Sequence, residues 1–460
     1  MSVPAVDPSI FKAYDVRGLY GEQIDEPIAY RIGRAFIEVL AELEGKPVEA
    51  LRVALGRDMR LPAEALSSAY AEGMLDAGAD VVALGMVGTE MLYCAVATEG
   101  LDGGLMCTAS HNPKAYTGAK LVRGGALALS GDSGIKELAE LISRGEPGLP
   151  SAARGQLTEL DIAPAFRAAA GGFIDPGLIG AAKVVLDGGN GMAGEMVGPL
   201  LDRLPLDQTA TYWTPDGEFP GHEPNPLLAE NRRELTKRVL SEGAELGIAW
   251  DGDADRCFFV DDTGRFVDGD FLTALLAEAI LAKNPGEQIL YDVRASRAVA
   301  ETVSRAGGTS AENRVGHAFF KTRMHAEGAI FGGEVSGHYY FRDFYCADSG
   351  TIPALLVLEL ISVKEQRLSE LLAPYRDVYF ISGEINSEVA DPLAKMAELA
   401  ERFSDGELSR LDGISINYPD WHFNVRPSNT EPLLRLNLES LISEDDMAAK
   451  RDLVLELIRS

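Results

Sequence analysis

The sequence predicts an α/β protein of several domains: three related α/β domains followed by a smaller α+β domain. Three observations carry this. The chain has 460 residues, enough for roughly three or four domains. One local plan recurs along it, a short β-branched or apolar run that ends in a Gly/Asp-rich turn and gives way to a helical pattern. The stretch from about Val378 to Ser460 departs from that plan.

The elements follow in order. Arg52-Val53-Ala54-Leu55-Gly56-Arg57-Asp58 leads into a helical pattern over Pro62 to Ala77. Ser143 to Arg154, rich in Gly, Pro and Ser, reads as a linker. Lys183-Val184-Val185-Leu186-Asp187-Gly188-Gly189-Asn190-Gly191 repeats the strand and turn, and a second boundary is expected close to Asp251. Gln288-Ile289-Leu290-Tyr291-Asp292-Val293 repeats it again before a helix over Ser296 to Ala306. After the long apolar helix pattern Ile352 to Val363, a third boundary is expected near Pro374. The last stretch opens with Val378-Tyr379-Phe380-Ile381 and closes with a helix over Glu444 to Ile458. Strands alternating with helices imply α/β units. The expected domains are 1–150, 151–256, 257–370 and 371–460.

Composition narrows the function classes. With 42 basic and 71 acidic residues the net charge is −29, which argues against nucleic acid and anionic membranes as partners. A small anionic substrate stays open, because a few arginines in a cleft reverse the local field. No apolar run approaches the roughly 20 residues that span a bilayer. Met1 to Ile10 has neither the basic start nor the apolar core of a targeting segment. Cys94, Cys107, Cys257 and Cys346 show no C-x-x-C spacing, so neither zinc nor disulfides are indicated. A cytoplasmic chain is expected.

The chemistry gathers in a few segments. Thr108-Ala109-Ser110-His111-Asn112-Pro113 places a serine on a polar turn after the apolar run Leu105-Met106-Cys107. Ser110 so placed acts as a nucleophile or carries a phosphoryl group; read alone, the segment suits a plain turn equally well. Cys107 is a rival nucleophile by position, but its apolar neighbours favour a small buried thiol. In Asp251-Gly252-Asp253-Ala254-Asp255-Arg256, three carboxylates at i, i+2 and i+4 fall on one side of an extended or looped backbone. They repel one another unless a hard cation such as Mg²⁺ is bound. An EF-hand loop requires glycine where Arg256 stands, and Cys257-Phe258-Phe259-Val260 fills its ligand positions with apolar groups. A solvated acidic turn is the remaining alternative.

Arg426-Pro427-Ser428-Asn429-Thr430-Glu431-Pro432, with Arg435 beyond, collects donors suited to phosphate; a polar turn between strands fits it as well. Gly332-Gly333-Glu334-Val335-Ser336-Gly337-His338 permits close backbone approach to a ligand, with Glu334 and Ser336 as hydrogen-bonding groups. Lys120, His317, and the knot of Tyr14 and Arg17 are further candidates, each with a structural reading beside the functional one. Arg57 and Arg60 around Asp58 are a further candidate group, and a structural ion-pair cluster suits them equally well.

Taken together and in this order, these segments resemble the α-D-phosphohexomutases, the bacterial phosphomannomutase/phosphoglucomutase branch. The resemblance runs over almost the whole chain. It rests on Tyr14-Asp15-Val16-Arg17-Gly18, the Ser110 and Asp251 segments, Gly333 to His338, and Arg426 to Thr430. It implies a heart-shaped architecture of three α/β domains and a TATA-box-binding-like fourth, each contributing one loop to a central cleft. It implies a phosphorylated Ser110, and Mg²⁺ held by Asp251, Asp253, Asp255 and a phosphoserine oxygen. Sugar contacts fall on Glu334 and Ser336, substrate phosphate on Arg426, Ser428, Asn429 and Thr430, and further substrate contacts on Tyr14 and Arg17. Arg256 and Lys120 would stabilise the transferring phosphoryl group, and the general acid/base is left among Lys120, His317 and His338. The implied reaction interconverts hexose 1- and 6-phosphates, mannose and glucose, through a hexose 1,6-bisphosphate, in a monomer or homodimer. Ala318, where many relatives carry serine, departs from the pattern. His338-Tyr339-Tyr340-Phe341-Arg342-Asp343-Phe344 and Asp348-Ser349-Gly350 look closest to mannose-type enzymes, and Val335 stands where phosphoglucosamine mutases usually have glutamine. Phosphoglucosamine mutase, a phosphoserine-dependent phosphatase and a sugar-phosphate-binding pseudoenzyme are the alternatives.

Overall fold

The computed structural model describes residues 6–131, 133–144, 151, 153–427 and 433–460. They form two compact units: Met1–Phe266 with Gly337–Glu365, and Val267–Ser336 with Gln366–Ser460. The segment 257–370 is thus divided between them.

The first unit holds two sheets. In one, the strands Asp15–Leu19, Tyr116–Arg123, Gly103–Cys107, Arg52–Arg57, Asp80–Met86 and Leu157–Glu159 lie side by side in that order. From Gly103–Cys107 to Leu157–Glu159 the pairing is parallel, and Tyr116–Arg123 joins its two neighbours antiparallel. The centres of its middle strands, Val53–Leu55 and Leu105–Cys107, are apolar and buried because helices cover them. The helix Glu26–Glu44 starts where Asp25 accepts from the Ile28 N–H, with proline in the first turn, and stops at Gly45 in the left-handed region. Its buried face, including Ile32, Phe36 and Leu40, shares a core with Leu66, Tyr70 and Met74 of the helix Ala63–Ala77. In the second sheet, Leu246–Trp250 runs parallel to Ala182–Asp187, which runs parallel to Leu206–Thr211. Cys257–Asp261 turns back antiparallel on Leu246–Trp250. The short strands Tyr339–Phe341 and Ala347–Asp348 and the helix Thr351–Lys364 complete this unit.

In the second unit, Gln288–Asp292 lies parallel between Thr309–Asn313 and Phe331–Gly333, with the helices Gly269–Lys283, Arg297–Arg305 and His317–Glu327. The chain then forms an antiparallel sheet in the order Phe380–Ile381, Leu433–Ser440, Trp421–Pro427, Ile414–Asn417, Glu407–Ser409, with Ile385–Glu388 also on Leu433–Ser440. The helices Pro392–Arg402 and Glu444–Arg459 bury Leu399, Val454 and Ile458 among Phe423, Leu434 and Leu436. This is the α+β part, where helices segregate to an antiparallel sheet. Pro374, near which a boundary was expected, lies inside the helix Leu368–Arg376, two residues from its end. No helix among the described residues is long and apolar enough to cross a membrane.

Candidate active site

The strand Gly103–Cys107 delivers Ser110 to the end of its sheet. Ser110 has φ of +48°, a conformation that L-residues seldom adopt and that surroundings must enforce. Its N–H donates to Thr108 Oγ1 at 2.9 Å. The buried guanidinium of Arg60 enforces the rest, donating to the carbonyls of Ser110 (2.8 Å), Asn112 (2.6 Å), Pro113 (3.0 Å) and Tyr116 (3.1 Å). Arg17 reaches the same loop through Asn112 Oδ1 at 2.5 Å and pairs with Asp15. Tyr14 precedes the strand that carries Arg17.

The Asp251 loop joins Leu246–Trp250 to Cys257–Asp261. It reaches the serine loop because residue 252 is glycine; a Cβ there would lie 2.5 Å from the Ser110 carbonyl oxygen. Ser110 Oγ donates to Asp251 Oδ2 at 2.9 Å and lies 3.3 Å from His111 Nδ1. Asp251, Asp253 and Asp255 are wholly buried, and each offers an oxygen within 4.8 Å of the other two. Lys120, beside Met106 in the neighbouring strand, donates to Asp253 Oδ2 at 2.6 Å and to Asp255 Oδ2. Arg256 donates its Nε and pairs its Nη2 to Asp251 Oδ2 at 2.9 and 2.8 Å. A solvent-facing lysine, the structural reading of Lys120, does not fit, because only 7% of the residue is exposed.

The electrostatics follow from burial and neighbours. Burial, then repulsion from Asp253, pushes the Asp255 carboxyl well above the usual range. At Asp253 burial acts the same way, but Lys120 and Thr89 outweigh it and hold the group low. Burial opposes the charge of Lys120, yet Asp253 and Asp255 raise it above the ordinary lysine value. Burial and then Arg256 and Arg17 drive His111 far down, so it is neutral beside Ser110 and shapes the loop. Burial raises the Cys107 thiol far above its ordinary value, which removes it as a nucleophile. Two carboxylate oxygens, Asp253 Oδ1 and Asp255 Oδ1, are buried without a hydrogen-bond partner. That orphaned pair, on an all-oxygen donor set, fits a hard divalent cation. His338 and Asp348 bring further ligand atoms within 4.8 Å of Asp255.

A second cluster lies within the other unit. Arg294 donates to Asp292 Oδ1 and Oδ2 at 2.9 and 2.7 Å and approaches Glu334 Oε2 at 3.7 Å and Glu384 Oε2 at 3.4 Å. Glu334 also accepts the Gly316 N–H at 3.1 Å, which brings the start of the His317 helix to it. The Val335 N–H donates to Asp292, fixing the loop that carries Ser336. Arg426 and Arg435, opposite each other on paired strands, both donate to Glu384 at 3.0 Å. Ser428, Asn429 and Thr430 lie outside the described residues, as do 145–150 and 152 of the expected linker. Reading the sequence missed Thr89, Asp292, Arg294 and Glu384 as site residues, and gave Asp348 no part near the metal loop. A signal existed for Arg294: Asp292-Val293-Arg294 repeats Asp58-Met59-Arg60 at a strand end.

Comparison with known proteins decides the family. Residues 8–147, 178–264 and 268–378 match the models of phosphoglucomutase/phosphomannomutase alpha/beta/alpha domains I, II and III, and residues 384–457 match that of its C-terminal domain. The chain belongs to the phosphoglucomutase/phosphomannomutase family. It is 45% identical to a phosphomannomutase of Salmonella typhimurium, over 97% of this chain and 98% of that one. Against a phosphomannomutase of Escherichia coli the identity is 44%, with the same coverage. A phosphoglucomutase/phosphomannomutase family protein of Burkholderia thailandensis superposes with a TM-score of 0.87 at 32% identity, covering 97% of this chain and 96% of that chain. Members of this phosphoglucomutase/phosphomannomutase family are intramolecular phosphotransferases, and this chain is a hexose-phosphate mutase.

Proposed function

We propose that the chain interconverts the 1- and 6-phosphates of mannose, and also of glucose, through phospho-Ser110 and a hexose 1,6-bisphosphate. The observation that carries this is Ser110 Oγ donating to Asp251 at 2.9 Å, in a buried site where Lys120 and Arg256 offset the carboxylates. Mannose is put first because the full-length relatives at 44–45% identity are phosphomannomutases.

The sugar hydroxyl oxygen attacks the phosphorus of phospho-Ser110, the bond from phosphorus to Ser110 Oγ breaks, and the serine is freed. The bisphosphate then presents its other phosphate, Ser110 Oγ attacks it, and the isomeric monophosphate leaves. The sugar hydroxyl proton passes to a base, for which His317 and His338 are the candidates, while the freed Ser110 Oγ takes up a proton, for which Lys120, held charged by Asp253 and Asp255, is a candidate donor; both transfers reverse in the second half. Lys120 and Arg256 stabilise charge on the transferring group. Arg60 keeps the serine loop in its left-handed turn throughout. Mg²⁺, held by Asp251, Asp253, Asp255 and a phosphoserine oxygen, would supply Lewis-acid polarisation of the phosphoryl oxygens. Glu334 and Ser336 recognise sugar hydroxyls, and Arg426 with Ser428, Asn429 and Thr430 holds the phosphate that is not reacting. Tyr14 and Arg17 complete the substrate contacts.

A coupled assay with mannose, glucose and glucosamine 1-phosphates tests this. Mannose is expected to turn over fastest and glucosamine slowest. Stoichiometric release of inorganic phosphate with no isomer would make the protein a phosphatase instead. Ser110→Ala should lower turnover by roughly 10³-fold or more while substrate binding stays measurable.

A further inference from the structure

We propose that Thr89 is a positioning residue for the cation: its hydroxyl fixes Asp253 so that Asp253 Oδ1 is left for a metal ion. The inference rests on the metal-loop reading above and adds a residue from outside that loop.

Thr89 opens the helix Thr89–Thr98 and is fully buried. It grips Asp253 twice. Its hydroxyl donates to Asp253 Oδ2, and its N–H donates to the Asp253 backbone carbonyl at 3.2 Å. Asp253 Oδ2 also accepts Lys120 Nζ at 2.6 Å. One oxygen of the carboxylate therefore has two donors while Oδ1 has none. A carboxylate free to rotate would exchange its oxygens; the pair of donors on Oδ2 sets which oxygen is presented. The preceding residue allows this approach, since a Cβ on Gly88 would lie 2.7 Å from the Asp253 carbonyl oxygen. The following residue anchors it. Glu90, also buried, accepts from Ser349 Oγ, from Thr351 Oγ1 at 2.5 Å and from the Thr351 N–H at 3.2 Å. The start of the helix is thereby tied on one side to the segment after Asp348 and on the other to the metal loop. Groups that orient a metal ligand from behind tune the site as much as the ligand does.

Mg²⁺ titration calorimetry on the full chain, with Ser110 phosphorylation matched by intact mass, tests the proposal. Wild type is compared with Thr89→Val, Thr89→Ser and Asp253→Asn, and melting temperatures are recorded without metal. Thr89→Val keeps the shape and loses the hydroxyl, so it should bind Mg²⁺ roughly 10–100-fold more weakly, whereas Thr89→Ser should stay within about threefold of wild type. Turnover of Thr89→Val should recover as Mg²⁺ is raised. Wild-type Mg²⁺ affinity in folded Thr89→Val, or equal weakening in Thr89→Ser, would overturn the proposal. Should the valine variant fail to fold, Thr89→Ala against Thr89→Ser makes the same comparison. If Asp253→Asn also binds Mg²⁺ like wild type, the metal-loop reading itself is what fails.

Discussion

Asp58-Met59-Arg60 follows the strand Arg52–Arg57 in the first unit, and Asp292-Val293-Arg294 closes the strand Gln288–Asp292 in the second. Both aspartates are fully buried. In both, Oδ1 accepts the N–H two residues on, at 3.0 Å for Arg60 and 2.8 Å for Arg294. Beyond that the two differ. Arg60 spends its terminal nitrogens on four loop carbonyls and offers Asp58 only Nε, at 3.3 Å. Arg294 gives Asp292 a two-point contact and leans on Glu334 and Glu384. The consequence is visible in the carboxylates. Burial raises Asp58 despite Arg60, whereas at Asp292 the Arg294 guanidinium outweighs burial and holds the group low. A guanidinium saturated by backbone carbonyls builds a loop. One surrounded by carboxylates is part of a charged network in which an anion can exchange for an anion.

The largest effect expected from this contrast is at Arg60. Arg60→Ala strands Asp58 and unpairs four carbonyls, so urea unfolding should show a loss of about 3–5 kcal/mol. Arg60→Lys should recover less than half of it, because an ammonium cannot span four acceptors. A lysine variant within about 1 kcal/mol of wild type would break the comparison. Arg294→Lys is the counterpart. A point charge still serves its carboxylates, so stability should fall by only about 1–2 kcal/mol. The substrate KM should rise by about tenfold, ~1.4 kcal/mol, with kcat less affected. Equal loss of stability in the two lysine variants would mean that the surroundings of the guanidinium do not matter.

Glu384 sharpens the contrast further. It binds Arg294, Arg426 and Arg435 together, and they hold its carboxyl low even though burial acts against the charge. Glu384→Gln leaves three guanidiniums without their shared anion. Inorganic phosphate should then bind a few-fold more tightly at low salt, with the gain fading as the Debye length shrinks to about 10 Å near 0.1 M salt. Unchanged phosphate affinity by calorimetry would show that this cluster does not receive anions.

Much of this was legible in the residues. The strand-and-turn plan was readable because β-branched runs end at Asp58, Asp187 and Asp292, and in each case the aspartate caps the N–H two residues later. Ser110 and the three aspartates were readable because each motif is contiguous. Thr89 was not, because its partner is 164 positions away and a lone threonine before an apolar helix carries no local signal. Glu384 was equally silent, since only the register of the strands around Arg426 and Arg435 brings its partners together. The helix Leu368–Arg376 was not legible around Pro374, because proline removes a backbone donor, and the helix admits it only near its C-terminal end.

A third buried aspartate isolates what the guanidinium does. Asp270 is a buried aspartate that, like Asp58 and Asp292, accepts a backbone N–H, that of Ser296 at 2.7 Å, but it forms no ion pair among the described residues. Burial, then the proximity of Asp268, with Asp292 and Glu439 adding to it, raises it to about 8 from an ordinary 3.8. A carboxyl with a raised folded-state pKa keeps its proton while the unfolded chain releases one. Stability is therefore fully present below the unfolded value, declines as pH rises between about 4 and 8, and levels off above that. Asp270→Asn keeps the acceptor for Ser296 and cannot ionise. Its urea midpoint should match wild type near pH 4 and exceed it at pH 8, flattening that part of the profile. If the two profiles stay parallel across that window, Asp270 is ionised in the fold after all, and the Arg294 guanidinium is not what separates Asp292 from the unpaired aspartate.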